Sequence, residues 1–185
     1  MEDPVNFFSR GLLFSLLGVA IAFSAPSDTL PLPSVLKGDS IPWFAVRTGE
    51  SGEKPFTRST LLGLVKPDTK RVAFVYFATW CLPCREGMTK LSAQKENLDR
   101  HGIQVVLVNI GERNLKKISE WVKLAGASDW PIVFDFFGRL TTGFGLVSQG
   151  NEGSLPRILL MDSHLKPLRL FCSEGDDWPS VLWEK

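Results

Sequence analysis

An apolar run that is typical of a buried strand ends just before two cysteines in the stretch VAFVYFATWCLPCREGM, residues 72–88. The strand predicted at residues 71–77 is apolar rather than alternating, as expected for a strand that is covered on both faces. Cys81 stands where this strand ends and a helix begins, and Cys84 follows one helical turn later. The stretch therefore predicts a strand–turn–helix unit with both cysteines at the helix start.

A helix start changes the chemistry of these two thiols. Free backbone N–H groups and the positive end of the helix dipole stabilise a thiolate at Cys81. The Cys84 N–H can hydrogen-bond the Cys81 sulfur in the reduced form, and the Cys84 sulfur can close a disulfide in the oxidised form. Pro83 is tolerated because its missing N–H is not needed in a first turn, and Trp80 is expected to shield one side. The spacing predicts a redox-active dithiol.

Two other interpretations of the cysteine pair remain open but are less favoured. A C-x-x-C can be half of a zinc site, but zinc usually takes four ligands. The other candidate ligands, Cys172, His101 and His164, stand alone without ligand spacing. The pair could also form an inert structural disulfide. We favour the reactive dithiol and expect neither a metal nor another cofactor.

Composition limits the classes of protein that need to be considered. The 185 residues include 44% hydrophobic and 22% charged residues, enough for one domain with its own core plus an extension. The formal net charge is +1, and no window is a basic block, so a nucleic-acid partner is not expected. We expect the protein to be a monomer. We interpret Cys172 as an inert buried thiol.

The first residues differ in character from the rest. Residues 11–23 are apolar and uncharged, too short for the roughly 20 residues of a membrane span but suited to the central part of a secretory signal. The small residues Ala22 and Ser24 predict a signal peptide at residues 1–24. A retained membrane anchor, or an apolar start that is neither, are the alternatives. Signal and anchor both predict an extracytoplasmic protein, periplasmic or anchored to the outer face of the inner membrane.

The remaining patterns predict one α/β domain. Residues 25–37 contain three prolines and are interpreted as a linker, which leaves residues 38–185 for the domain. Strands alternate with helices, and two closing strands are joined by a short turn, which favours a parallel-centred sheet covered on both faces. The predicted strands are residues 41–46, 71–77, 103–110, 131–135, 157–162 and 168–172. The predicted helix signals are a cap at Thr57 or Ser59, a stop at residues 101–102, a cap at Asn114, a turn at residues 139–144 and a short last helix after residues 177–179.

Five segments taken together resemble one known family. They are GDSIPWFAV, VYFATWCLPCRE, VVLVNIGE, WPIVFD and SLPRILLMD. With the element order, they are similar to the thioredoxin superfamily and, within it, to the TlpA/ResA-like extracytoplasmic thiol–disulfide oxidoreductases, over residues 38–178. The resemblance implies a thioredoxin-like α/β fold, with a mixed central sheet, helices on both faces and an N-terminal β-hairpin extension.

The resemblance also implies roles for individual residues. Cys81 would be the attacking thiol and Cys84 the resolving thiol. Pro156 would be a cis-proline that faces the pair, with Leu155 exposing its backbone for pairing with a substrate. The remaining residues implied to contact the substrate are Trp80, Leu82 and Pro83.

The chain departs from the family pattern at the positions where related proteins carry acidic residues for proton transfer. The buried acid of thioredoxins is replaced by Val75, and the position where related proteins often carry a glutamate is Gly87. Glu86 is one residue earlier, and a shift of one residue on a helix rotates the side chain by about 100°. Glu86 is therefore interpreted either as a solvated surface residue or as a proton-transfer group. Glu152 is the second candidate for proton transfer. We expect Arg157 to bring a positive charge near the thiols.

The direction of electron flow follows from the residues between the cysteines. Leu82 and Pro83 offer no side-chain donor to the Cys81 sulfur, so the reduced form gains little and the protein should be a reductant. Arg85 and Arg157 would oppose this. The resemblance implies client proteins with disulfides, for example apocytochromes or copper-site proteins, and a membrane electron donor. The alternative function is that of a copper metallochaperone of the same fold, for which C-x-x-x-C and a loop histidine would be expected. A redox-silent binding module is a third possible function.

Overall fold

One mixed sheet organises the protein. The structure is a computed structural model that describes residues 29–146, 155–172 and 178–184. Eight strands pair in the order β1-β8-β7-β4-β5-β6-β2-β3. The strands are β1 (Thr29–Leu30), β2 (Ala45–Thr48), β3 (Lys54–Thr57), β4 (Arg71–Phe77), β5 (Ile103–Ile110), β6 (Ile132–Asp135), β7 (Arg157–Asp162) and β8 (Pro167–Cys172).

Helices cover both faces of this sheet. They are α1 (Arg58–Leu64), α2 (Leu82–Ala93), α3 (Lys95–His101), α4 (Leu115–Leu124) and α5 (Arg139–Gly143), with short 3-10 helices at Ser34–Leu36 and Trp178–Leu182. Strands β4, β5 and β6 run parallel, and β7 runs antiparallel to β4. Strands β2 and β3 form an antiparallel hairpin beside β6. The predicted mixed sheet, with helices on both faces and an N-terminal hairpin, is confirmed.

Alternation along β4 divides the core in two. Ala73, Val75 and Phe77 point to one side, where Cys81 and Cys84 also pack. We call this side the cysteine face; α2, α3, α4 and the last 3-10 helix cover it. Val72, Phe74 and Tyr76 point to the other side, which we call the opposite face and which α1, α5 and the first 3-10 helix cover. Both faces of β4 are buried, as its apolar sequence predicts.

Local signals place several helix ends where the sequence predicts them. The Thr57 side chain accepts a hydrogen bond from the Thr60 N–H and caps α1, and Asn114 accepts from the Lys117 N–H and caps α4. Gly102 ends α3 with φ +70°, and a Cβ there would lie 2.6 Å from the Asp68 carbonyl oxygen. Only glycine fits this turn without strain.

Two predicted boundaries are wrong. The strand expected at residues 41–46 begins only at Ala45, because Ala45–Thr48 is the part that pairs with β3. The helix that begins at Leu82 is interrupted at Gln94 (φ −101°, ψ 14°), so that the expected apolar stripe continues on α3 rather than on one long helix.

The segment interpreted as a linker is partly attached to the domain. Thr29 and Leu30 pair with Phe171 and Leu170 at the edge of the sheet. Leu36 is 0% exposed within the core of the opposite face. The folded part therefore begins before residue 38, because this strand and this side chain cover apolar surface that would otherwise be open.

The predicted signal peptide or anchor lies outside the described residues. Among residues 29–146, 155–172 and 178–184, no helix has the length and apolar character needed to cross a membrane.

Candidate active site

The turn between β4 and α2 brings the two cysteines together. Cys81 is the N-cap of α2, and its N–H donates to the Ala78 carbonyl over 3.1 Å. The Cys84 N–H donates to the Cys81 sulfur, also over 3.1 Å, and the two sulfurs form a disulfide with an S–S distance of 2.05 Å. The predicted contact between the pair is confirmed, because one helical turn separates the two side chains.

Exposed apolar side chains surround a nearly covered disulfide. Cys81 is 5% and Cys84 2% exposed, whereas Trp80 and Leu82 are each 67% exposed. Pro83 is exposed as well. Three of the residues implied to contact substrate therefore form an apolar rim beside the sulfur atoms. Large apolar groups in water favour contact with another molecule.

Leu155 and Pro156 lie at the start of β7. The bond between them is cis, as the resemblance implied. Tyr76 pairs with Arg157 in the antiparallel β4–β7 ladder, so Pro156 comes beside the end of β4, at the sheet edge from which the cysteine turn leaves. Pro156 is buried, and Leu155 packs against the cores of both faces.

Of the two acids proposed for proton transfer, Glu86 lies among the described residues, and its side chain points away from the core. Cys84, Met88 and Leu91 are the buried stripe of α2, whereas Glu86 is exposed outside that stripe. The position of Glu86 favours the solvated alternative. Glu152 lies outside the described residues.

Arg157 and Cys172 lie on the side of the sheet that faces away from the Cys81–Cys84 pair. Ile158 packs on the cysteine face and Leu159 on the opposite face, so alternation places Arg157 on the opposite face. Its guanidinium donates to the Leu146 carbonyl. The expectation that Arg157 brings charge to the thiols is wrong. Cys172, its partner in the β7–β8 ladder, shares this side and is half-buried rather than buried.

Glu112 contacts the cysteine turn, and no role for it followed from the sequence. Its carboxylate accepts from the Thr79 N–H over 2.7 Å, from the Thr79 hydroxyl, and from the Asn109 side-chain amide over 2.8 Å. The available signal was a polar pair, Asn109 and Glu112, at the end of a buried strand. Carboxyl ends of parallel neighbours meet at one sheet edge, so this end comes beside the end of β4.

Metal ligands do not cluster in the part of the chain that the structure describes. No group of three or more histidine, cysteine, aspartate or glutamate side chains is arranged there to hold an ion. The chemistry that the described residues support is exchange between a dithiol and a disulfide.

A thioredoxin-like fold with a C-x-x-C disulfide at the start of a sheet-covering helix defines the class of thiol–disulfide oxidoreductases. The AhpC/TSA family model matches residues 38–166. The chain belongs to the AhpC/TSA family, and its predicted relationship to TlpA/ResA-like proteins of the thioredoxin superfamily is confirmed. Thiol-disulfide oxidoreductase ResA of Geobacillus thermodenitrificans is 28% identical over 99 residues, which are 52% of this chain and 51% of the relative. The chain thus spans about half the length of this curated relative.

Solved structures show the same fold at low identity. A secreted thiol-disulfide isomerase from Corynebacterium glutamicum has a TM-score of 0.61 at 17% identity, covering 77% of this chain and 81% of its own. A secreted Mycobacterium tuberculosis disulfide oxidoreductase homologous to E. coli DsbE has a TM-score of 0.55 at 15% identity, covering 75% and 96%. The peroxidoxin BcpB from the same organism has a TM-score of 0.59 at 19% identity, covering 80% and 93%. The fold alone therefore does not decide the substrate.

Proposed function

We propose that this protein works outside the cytoplasm as a thiol–disulfide oxidoreductase that reduces disulfides in client proteins. The observation that carries the proposal is the Cys81–Cys84 disulfide at the N-terminus of α2, beside the exposed Trp80 and Leu82. A helix start supports a nucleophilic thiolate, and an apolar rim offers contact to an incoming polypeptide.

The proposed reaction transfers two electrons to the client. The Cys81 thiolate attacks one sulfur of the client disulfide, forms a mixed disulfide and expels a client thiolate. The Cys84 thiolate then attacks the Cys81 sulfur, closes the internal disulfide and releases the second client thiolate. The two protons of the protein's thiols end on the client, whose disulfide is reduced while the pair is oxidised.

The environment of the Cys81 sulfur supports the reducing direction. Within the described part of the chain, its hydrogen-bond donor is the Cys84 N–H. Leu82 and Pro83 add no side-chain donor, and Pro83 has no N–H. A weakly stabilised thiolate favours the disulfide state of this protein, which makes the dithiol a reductant. An external dithiol donor must then restore the pair, and we propose that a membrane protein supplies it.

The location and the clients rest on sequence and relatives. The apolar run at residues 11–23 and the secreted relatives support export, with residues 1–24 as a signal peptide or anchor. The resemblance supports clients in cytochrome maturation or copper-site assembly, and we propose a monomer.

The test is a redox titration of the protein from residue 25 onward, with insulin as a disulfide substrate. We expect catalysed insulin reduction and a potential below the glutathione poise of about −220 to −260 mV. Cys81→Ser is the matched inactive control. A potential near about −120 mV, that of a strong oxidant, would overturn the reducing direction.

Two further assays separate rival functions of the same thiols. Tight, stoichiometric copper(I) binding without insulin reduction would replace the proposal with the metallochaperone alternative. Rapid peroxide consumption without insulin reduction would replace it with a peroxidase.

A further inference from the structure

Glu112 ties the turn that carries the reactive cysteine to the end of the neighbouring strand. Its carboxylate accepts both donors of Thr79, the N–H over 2.7 Å and the hydroxyl. Thr79 stands two residues before Cys81, and two residues of chain span at most about 7 Å. The carboxylate therefore bonds a residue that is only two positions before the attacking cysteine, although Glu112 itself follows the end of β5.

A buried side-chain amide also bonds to the Glu112 carboxylate. Asn109 is 0% exposed and donates its side-chain amide to Glu112 over 2.8 Å. It pairs with Phe77 at the end of β4, and alternation with Leu107 places it on the cysteine face. The Asn109 Oδ1 is buried and has no hydrogen-bond partner among the described residues. A buried amide with an unsatisfied oxygen is costly, so holding Glu112 offsets only part of the cost of burying Asn109.

We propose that Glu112 is a positioning residue of the exchange reaction and that its negative charge weights the cysteine couple toward the disulfide. This rests on the proposed function. The hydrogen bonds hold Thr79, two residues before Cys81, and in this way restrict where the turn places the N-cap sulfur. The charge opposes a second negative charge on Cys81, because like charges disfavour each other's ionised forms. The reduced state thereby loses stability, and the dithiol becomes a stronger reductant.

The other charged groups near the turn are placed differently. Arg85 and Glu86 are exposed on α2. The Arg113 guanidinium lies over the Phe137 ring, 5.2 Å from its centroid, and the Arg157 guanidinium donates to the Leu146 carbonyl. Among the described residues, Glu112 is the charged group that hydrogen-bonds to the turn itself.

The test compares Glu112→Gln with wild type in two measurements. The first is the exchange equilibrium with glutathione, in which we expect about a tenfold shift toward the reduced protein, equivalent to about 30 mV. The second is the pH dependence of Cys81 alkylation by iodoacetamide in a Cys84→Ser/Cys172→Ser background. There we expect the midpoint to fall by about one pH unit, which is the same tenfold change.

The controls separate charge from structure. Glu112→Asp keeps the charge and should keep the alkylation midpoint. Asp135→Asn removes a carboxylate with a similar set of donors on the opposite face and should leave the equilibrium unchanged. Thr79→Val removes one hydrogen-bond donor while Glu112 stays intact. We expect this variant to reduce insulin several-fold more slowly with an unchanged alkylation midpoint. It keeps the positioning role testable if Glu112→Gln does not fold.

The outcomes distinguish this inference from the proposed function. If wild type reduces insulin but Glu112→Gln has the wild-type equilibrium and midpoint, the charge has no role and the inference fails. If Thr79→Val also reduces insulin at the wild-type rate, the positioning role fails too. If wild type itself does not reduce insulin, it is the proposed function that fails.

Discussion

The two faces of the sheet carry similar cores but different chemistry. On the cysteine face, Glu112 holds a turn that precedes it by 33 residues. On the opposite face, Asp135 accepts from the Leu140 N–H (3.2 Å), the Thr141 N–H (2.9 Å) and the Thr141 hydroxyl (2.6 Å), all within six residues. Glu112 follows the end of the parallel strand β5, and Asp135 is the last residue of the parallel strand β6. Glu112 joins two segments at the reactive site, whereas Asp135 accepts from N–H groups in the first turn of α5, the helix that follows it.

Burial separates the two carboxylates further. Asp135 is 2% exposed and Glu112 only half-buried. Asp135 also acts on Tyr76, whose hydroxyl is buried without a partner among the described residues. Burial, and secondarily the charge of Asp135, raise the pKa of Tyr76 well above its ordinary value. The comparison indicates that Asp135 serves the local packing of the opposite face, whereas Glu112 joins the turn that carries the cysteines.

The largest expected effect separates the three cysteines. Cys81→Ser should abolish insulin reduction, because it removes the attacking thiol at the N-cap of α2, and the remaining Cys84 lies one turn into the helix. Cys84→Ser should still attack but stall at the mixed disulfide, so that clients accumulate covalently on Cys81. Cys172→Ser should keep wild-type activity, because Cys172 lies across the sheet. Non-reducing gels with client extracts and insulin assays measure all three; trapping by Cys81→Ser instead of Cys84→Ser would show that the roles are reversed.

The next effect is on stability at the opposite face. Asp135→Asn should lower the free energy of unfolding by about 2 kcal/mol, because charge-assisted hydrogen bonds to α5 weaken. Urea titration measures this, and the redox equilibrium should stay at the wild-type value. A changed redox equilibrium would mean that the two faces are coupled.

A smaller effect is expected at Tyr76. Tyr76→Phe should raise the free energy of unfolding by about 1 kcal/mol, because it removes a buried hydroxyl without a partner. In wild type the folded pKa is raised, so above pH about 10 the unfolded chain loses the phenol proton first and stability falls as pH rises.

The Tyr76→Phe variant should not show the part of this loss of stability at high pH that comes from the phenol group. The chain has one tyrosine, so the phenolate absorbance of the folded protein follows this group directly. Ionisation of the folded protein at the ordinary tyrosine pKa would contradict the buried position.

The smallest effect tests an exposed acid on α2, the helix that begins at the cysteine pair. Glu86→Gln should change the rate of insulin reduction less than about twofold, because an exposed carboxylate is well screened by water. Lys90→Gln, on the same helix, is a charge control of opposite sign. A large loss specific to Glu86→Gln would restore this residue as a proton-transfer group.

The sequence by itself determined the features that depend on neighbouring residues. The cysteine pair at a strand–helix junction, the caps at Thr57 and Asn114 and the stop at Gly102 all act within about one turn of chain. The alternation of strands and helices from β4 to β6 followed from periodicity in the same way. Such signals are complete in a short window, so they could be interpreted without knowing the rest of the molecule.

Only the tertiary structure decided which distant residues meet. Glu112 reaches Thr79 because β5 lies beside β4, and Thr29 and Leu30 join the sheet because the edge of β8 is open to them. Arg157 was expected near the thiols, but strand alternation turns it to the other face. In each case the outcome depends on strand order and register, which long-range packing selects and which no short window of sequence contains.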